Sequence, residues 1–260
     1  MAHVAANQQM AEVERSRYTY VQHADAASHK GHKVICRETT DTRVTPTTTG
    51  SGRQLLTLDG SLWLNGRYTR YTHPLTADLK PGESREITLK NDEDVDVNLV
   101  EHMRDNLTNT QAKDGFHAGL FPLTAKAQTG YQYAIVKREP MNGRDTWLIH
   151  FKPKDNSEFD WEGDAWIDTA AYQPVFVRTH LSRGVPFLVK TMLGTNVPGL
   201  GFAVTYAPQP DGVWFPVTFG TEFKIHVLFF FSREIAIDVQ NRDFQKTHSD
   251  ARILDSATTE

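Results

Sequence analysis

Chemistry in this 260-residue chain would have to come from eleven histidines, one cysteine and a scatter of closely spaced carboxylates. His29 and His32, in the stretch SHKGHK, are the closest histidine pair. Gly31 between them breaks the regular helix on which a ligand pair would ride, and no H-E-x-x-H motif occurs, so both read as solvated turn histidines rather than metal ligands. His102, beside Glu101 and three positions before Asp105, has the company of a general acid or base, but its spacing puts it at the border of an apolar helix stripe, where a hydrogen-bonded structural histidine is expected. Cys36 stands alone in a polar, strand-like run with neither a disulfide partner nor a metal site, and there is no G-x-S-x-G motif. Asp160 with Glu162 and Asp164 with Asp168 alternate along one strand face opposite Trp161 and Ile167, the pattern of a solvated face rather than of a glycosidase pair. The GLGF stretch at 199–202 lacks phosphate-loop spacing and reads as a turn. No catalytic residue, metal or cofactor is therefore expected, and the chain does not read as an enzyme.

Whole-chain composition narrows the partners. Lys and Arg total 28 against 32 Asp and Glu, a net charge of −4 with no basic patch, which argues against nucleic acid. The first 20 residues have no basic start followed by an apolar core, so no secretory signal is read there.

The elements that must position any site are mostly strands. Candidate strands fall at 18–24, 31–45, 53–58, 61–64, 68–73, 131–138, 145–152, 160–168, 174–182, 201–207, 213–222 and 223–240, punctuated by Asp59-Gly60, Asn65-Gly66, Asn142-Gly143 and Asp211-Gly212 as turn dipeptides. Alternation places Trp147, Ile149 and Phe151 on one face, likewise Val175, Val177 and Leu181, and Val213, Phe215, Val217 and Phe219. The stretch FKIHVLFFFSREIAIDVQ, residues 223–240, is the most apolar. Read as one strand, its odd positions are apolar except Arg233, and its even positions are apolar only at Leu228 and Phe230. It is too short and too charged at its flanks to span a membrane, so at its centre both sheet faces must be covered, by a helix, a second layer or a bound apolar molecule.

Two segments break the strand rhythm. Val95, Leu99, Val100, Met103 and Leu107 fall at helical spacing behind an acidic start, predicting a helix from about 92 to 113 that lays its apolar stripe on the sheet. Residues 185–202 form a long apolar connection in which Phe187, Leu188, Met192 and Leu193 make an apolar turn or two before a glycine-rich return. Thr39–Gly52 reads as a strand end running into a mobile turn, residues 1–248 as a single domain and 249–260 as a frayed tail.

The run WLIHFKPKDNSEFDWEGDAWIDTAAYQPVFVRTHLSRGVPF, with F-x-P after a strand, then W-I-D-T and Y-x-P-V, resembles the LolA/LolB-like superfamily of lipoprotein carriers, and GVWFPVTFGTEF resembles the element that follows these strands there. The resemblance covers about 145–240. It implies a mainly β (α+β) fold, a large antiparallel sheet curved into a half-open barrel whose concave side is covered by one long helix and a short apolar helix or loop. It also implies a non-enzymatic, periplasmic carrier or binder of a lipid, acyl chain or lipoprotein, associated with the outer membrane and with a membrane-associated protein partner, without a transmembrane segment. The apolar cavity is then expected from Val227, Phe229, Phe231, Phe219, Phe215, Trp166, Leu99 and Met103, with Phe187, Leu188, Met192 and Leu193 at its mouth. The alternative is the same sheet filled by its own side chains, with the apolar loop docking another protein. Replacing Phe229 by Asp is expected to abolish retention of bound lipid, read by organic extraction of the purified variant; unchanged folding and unchanged retention would refute the groove assignment.

Overall fold

The computed structural model describes residues 1–47, 50–75, 92–107, 122–155, 161–181, 195–196, 201–227 and 231–247. The chain begins with helix α1 (Ala2–Arg15), then runs through β1 (Tyr18–Lys30), β2 (Lys33–Pro46), β3 (Ser51–Leu64) and β4 (Arg67–Tyr71). Helices α2 (Asp92–Leu107) and α3 (Ala125–Gln128) precede β5 (Tyr131–Met141), β6 (Arg144–Pro153), β7 (Trp161–Asp168) and β8 (Pro174–Leu181). A two-residue β9 (Thr195–Asn196), β10 (Gly201–Pro208), β11 (Trp214–Val227) and β12 (Phe231–Lys246) complete it.

All these strands form one antiparallel sheet in the order β4-β3-β2-β1-β12-β11-β10-β8-β7-β6-β5, with β9 added on β11. Two meanders meet at the β1–β12 ladder, which runs from Tyr18 opposite Lys246 to His29 opposite Glu234. β4 and β5 are the two outer edges and do not pair with each other, so the sheet is open rather than a closed barrel. Residues 72–130 therefore carry the chain from one edge to the other, across ten strand spacings or about 48 Å of sheet. Helix α2 lies in that connection and rests on β1, β2, β3 and β12.

Because β-strand side chains alternate, register decides what each face holds. One row crosses eight strands as Ile149, Ala165, Val177, Val204, Phe219, Val239, Ala24 and Thr40, and ends at Leu58 on a ninth. Every member is buried, which identifies the α2-bearing side as the inner face. Aromatic packing continues beside this row, with Phe202 and Phe219 ring centroids 5.3 Å apart and Trp161 and Phe202 4.8 Å apart.

The strand pattern and the helix near 92 hold, with several corrections. Residues 223–240 are not one strand: Val227 pairs with Phe231, so the run folds back on itself as the β11–β12 hairpin. Asp59-Gly60 is not a turn but the middle of β3, where Gly60 gives the Tyr71 ring room to lie across the strand; an added Cβ would stand 2.3 Å from a ring carbon. Asn65-Gly66 and Asn142-Gly143 do take the positive φ angles of tight hairpins, at 48° and 83°, and 50° and 75°. The α1 helix was not foreseen. Its buried side is Val4, Ala5, Gln8, Ala11 and Arg15, too polar to register as an apolar stripe. Helix α2 is described from Asp92 to Leu107, and the remainder of the expected span, 108–113, lies outside the described residues. Of the 185–202 connection the structure describes β9, residues 195–196, and 201–202; the 249–260 tail lies outside the described residues.

A second close approach occurs at Gly163, where a Cβ would meet the Arg178 carbonyl oxygen at 2.1 Å, whereas at Gly52 the nearest atom would be 3.7 Å away. Gly163→Ala is expected to lower stability by about 1–3 kcal/mol through overpacking, and Gly52→Ala to leave the urea midpoint nearly unchanged.

Candidate functional site

Helix α2 is seated on small residues. Beneath it β1 presents Ala24, Ala26 and Ser28, and β2 presents Cys36, Glu38 and Thr40, all buried. The helix contributes Val97 and Val100, both fully buried, while Val95 and His102 face outward. Polar groups add to this apolar seat.

At one end Asp96 receives Arg233 of β12 in a two-bond pair, Nε to Oδ1 at 2.7 Å and Nη2 to Oδ2 at 2.9 Å, and the Ser28 hydroxyl donates to Oδ1 at 2.5 Å. The two side chains are 0% and 4% exposed, so both charges are out of water. At the other end Arg104 donates through Nη1 to Glu38 Oε2 and through Nε to Asp105 at 2.9 Å. Tyr71, lying over Gly60, donates to the second oxygen of Glu38 at 2.9 Å, and its hydroxyl is 3.3 Å from the Cys36 sulfur. Glu101 accepts from the Leu75 amide at 2.5 Å. Burial pushes the Glu38 carboxyl up to about 7; Arg104 opposes this and the charge of Glu101 adds to it. Burial likewise pushes the Cys36 thiol up to about 12 and the Tyr71 phenol far above its usual range. A thiol held protonated is a poor nucleophile.

The residues expected to line an apolar cavity do not all come together. Phe219 lies in the inner-face core and Leu99 packs against it. Phe215 belongs to a separate cluster with Tyr18, Tyr20 and Val44, because the register between β10 and β11 shifts near Val217 and breaks the alternation expected over 213–219. Trp166 points to the other side of the sheet from its neighbours Ala165 and Ile167, stacking 5.3 Å from Phe176 and donating to Glu139 at 2.9 Å. The backbone of Val227, Phe231 and Met103 is described; Val227 and Phe231 face each other across the hairpin. Phe229, Phe187, Leu188, Met192 and Leu193 lie outside the described residues. The buried ions Asp96, Glu38, Arg104 and Arg233 were missed. One signal pointed to them: Arg233 is the single charge on the otherwise apolar parity of 223–239.

The opposite face is polar. An open groove of about 860 Å³ there has Ala203, Gly220 and Ala236 on its floor and His23, Asp25 and Arg178 on its walls. It is edged by two clusters of the same makeup. His23 Nδ1 is 2.8 Å from Asp41, which also takes Arg242 at 2.9 Å; His150 Nδ1 is 3.0 Å from Asp164, which also takes Arg178 at 3.0 Å. Burial pushes both carboxyls up, but these hydrogen bonds outweigh it and hold them below the usual range. With its charges matched in this way the face suits solvent better than an acyl chain. Among the described residues no group of three or more His, Cys, Asp or Glu is placed to hold a metal, and no helix is long and apolar enough to cross a membrane.

No known family profile matches the sequence, and no curated protein matches it. Solved structures do. The chain is similar to an outer membrane lipoprotein-sorting protein domain from Vibrio parahaemolyticus, at 12% identity and TM-score 0.39, covering 94% of this chain and 92% of that one. It is similar to a LolA superfamily protein from Nitrosomonas europaea, at 9% identity and TM-score 0.37 over 92% and 91%. A third is a DUF1329 family protein from Desulfovibrio piger, at 13% identity and TM-score 0.38 over 95% and 93%.

Removing one member of the Asp96–Arg233 pair strands the other charge in the core. Arg233→Met is expected to cost about 3–5 kcal/mol in urea unfolding, whereas Arg233→Met combined with Asp96→Leu recovers most of that loss.

Proposed function

We propose that this chain is a non-enzymatic binder or carrier of a lipid, an acyl chain or a lipid-modified protein, and that α2 is the movable cover of its binding face. The observation that carries this is the seat of α2: a helix docked on an apolar, aromatic-rich sheet face through two buried ion pairs, over small residues of β1 and β2. Buried ion pairs add little net stability over apolar replacements, yet they fix one docked position. When the helix lifts, its charges regain water, which offsets much of what the pairs contributed, while the bared face gains an apolar guest. In this reading Val227, Phe229, Phe231, Phe219, Leu99 and Met103 line the cavity, and Phe187, Leu188, Met192 and Leu193 form its mouth. Phe215 and Trp166 belong to other surroundings and are left out. The periplasm, with association to the outer membrane, enters from the resemblance over 145–240.

Each methylene transferred from water contributes about 0.8 kcal/mol, so ten enclosed methylenes contribute about 8 kcal/mol, on the order of micromolar affinity. Native mass spectrometry of the purified protein is expected to show co-purifying phospholipid or fatty acid, and the stripped protein is expected to take up a fluorescent fatty acid. A clean apo mass with no uptake would overturn the proposal and leave a self-filled core whose function lies with a protein partner.

A further inference from the structure

At one end of the inner face β3 carries a cation that no anion meets. Thr42, Val44 and Pro46 of β2 stand opposite Leu55, Arg53 and Ser51. They continue the parity of Thr40 past a bulge, so Arg53 and Ser51 lie on the side that bears α2. Arg53 Nη2 donates to Gln22 Oε1 at 2.8 Å, Gln22 Nε2 to Asn241 Oδ1 at 3.2 Å, and Asn241 Nδ2 to the Pro216 carbonyl at 2.9 Å. Gln22 and Asn241 are buried, and this relay fixes the plane of the guanidinium. The other terminal nitrogen, Nη1, is closed to water and has no hydrogen-bond partner. Two positions along the same strand, the Ser51 hydroxyl is closed to water and unpartnered as well. Among the described residues no carboxylate pairs with Arg53. Asp105 acts on it through charge alone and is itself bonded to Arg104, whose own charge repels Arg53.

A guanidinium keeps its charge in a protein, and a charge withdrawn from water is stable only beside an opposite one. An unmet N–H and an unmet hydroxyl on one strand face match a group that offers a negative charge and more than one oxygen. We propose that Arg53 Nη1 and the Ser51 hydroxyl form an anion site that takes a carboxylate or phosphate group. The buried row through Ala24 and Thr40 crosses β2 four residues before Val44, about 13 Å away, so a chain lying on that row brings its head to Arg53. That the anion is the head of a bound amphiphile, admitted when α2 lifts, rests on the lipid proposal; the anion site itself does not.

Ligands that share a chain or a charge separate the two readings. Laurate, dodecanol and inorganic phosphate would each be titrated by calorimetry into the purified, delipidated chain at pH 8, phosphate against chloride at equal ionic strength. Laurate is expected to bind about ten- to hundredfold more tightly than dodecanol, the contribution of hydrogen bonds to a charged group. Arg53→Gln is expected to bring that ratio close to one, and Ser51→Ala to lower it by a smaller factor. Phosphate that binds alone and is lost in Arg53→Gln, with neither laurate nor dodecanol bound, would sustain the anion site and overturn the lipid reading. Laurate and dodecanol bound equally well, with no phosphate bound, would overturn the anion site and leave the lipid reading standing. Binding of none of the three overturns both, and a laurate preference that persists in Arg53→Gln overturns the site. Each variant is checked for folding by circular dichroism; should Arg53→Gln not fold, Ser51→Ala decides, an unchanged laurate preference or phosphate affinity overturning the site.

Discussion

The placement of β4 and β5 at opposite edges of the sheet is the constraint from which the rest follows. A meander that continued without interruption would keep successive strands adjacent and need only short turns. Here the chain leaves one edge at Tyr71 and must reappear at the other at Tyr131, so it has to recross the whole sheet. That recrossing brings a helix over the inner face, and the helix meets the sheet where β1 and β12 join the two meanders. The buried charges belong to this meeting. They tie α2 to β12 through Arg233 and to β2 through Glu38, on either side of β1.

A polar seat in the middle of an apolar face is a choice for specificity over strength. Apolar side chains of similar volume would hold a helix at least as firmly, but with less preference for one register. Gly60 shows how far the sheet accommodates the arrangement: a strand residue gives up its side chain so that Tyr71 can pass over β3 and reach a carboxylate two strands away. The cost is a site whose charges must all be placed together.

How much of this the sequence discloses depends on parity. The β11–β12 turn escaped notice because Val227 pairs with Phe231, Ile225 with Arg233 and Phe223 with Ile235, so odd positions stay on one face whether the run is a single strand or a hairpin. Alternation therefore assigns the faces correctly and cannot reveal the reversal. Strands with outward polar residues, such as β6 and β8, were legible for the same reason. Helix α1 was not, because a side built from Gln8 and Arg15 buries polar atoms with the help of partners distant in the chain, Gln173 and the Trp214 carbonyl. Glu38 was hidden too. It sits in a stretch of Thr, Asp and Arg whose pattern is that of a solvated strand until α2 is laid over it.

The position of β12 has a consequence for how the protein is made. Among the described strands it comes last in sequence, yet it lies between β1 and β11 near the centre of the sheet. Until it emerges, β1 has one edge bare along its length, and Asp96 has no guanidinium to meet. The two halves of the nascent chain can each form hairpins early, but the central ladder joins residues more than 200 positions apart and forms only once β12 is available. The fold is thus completed from its middle, when β12 enters between β1 and β11 and joins the two meanders.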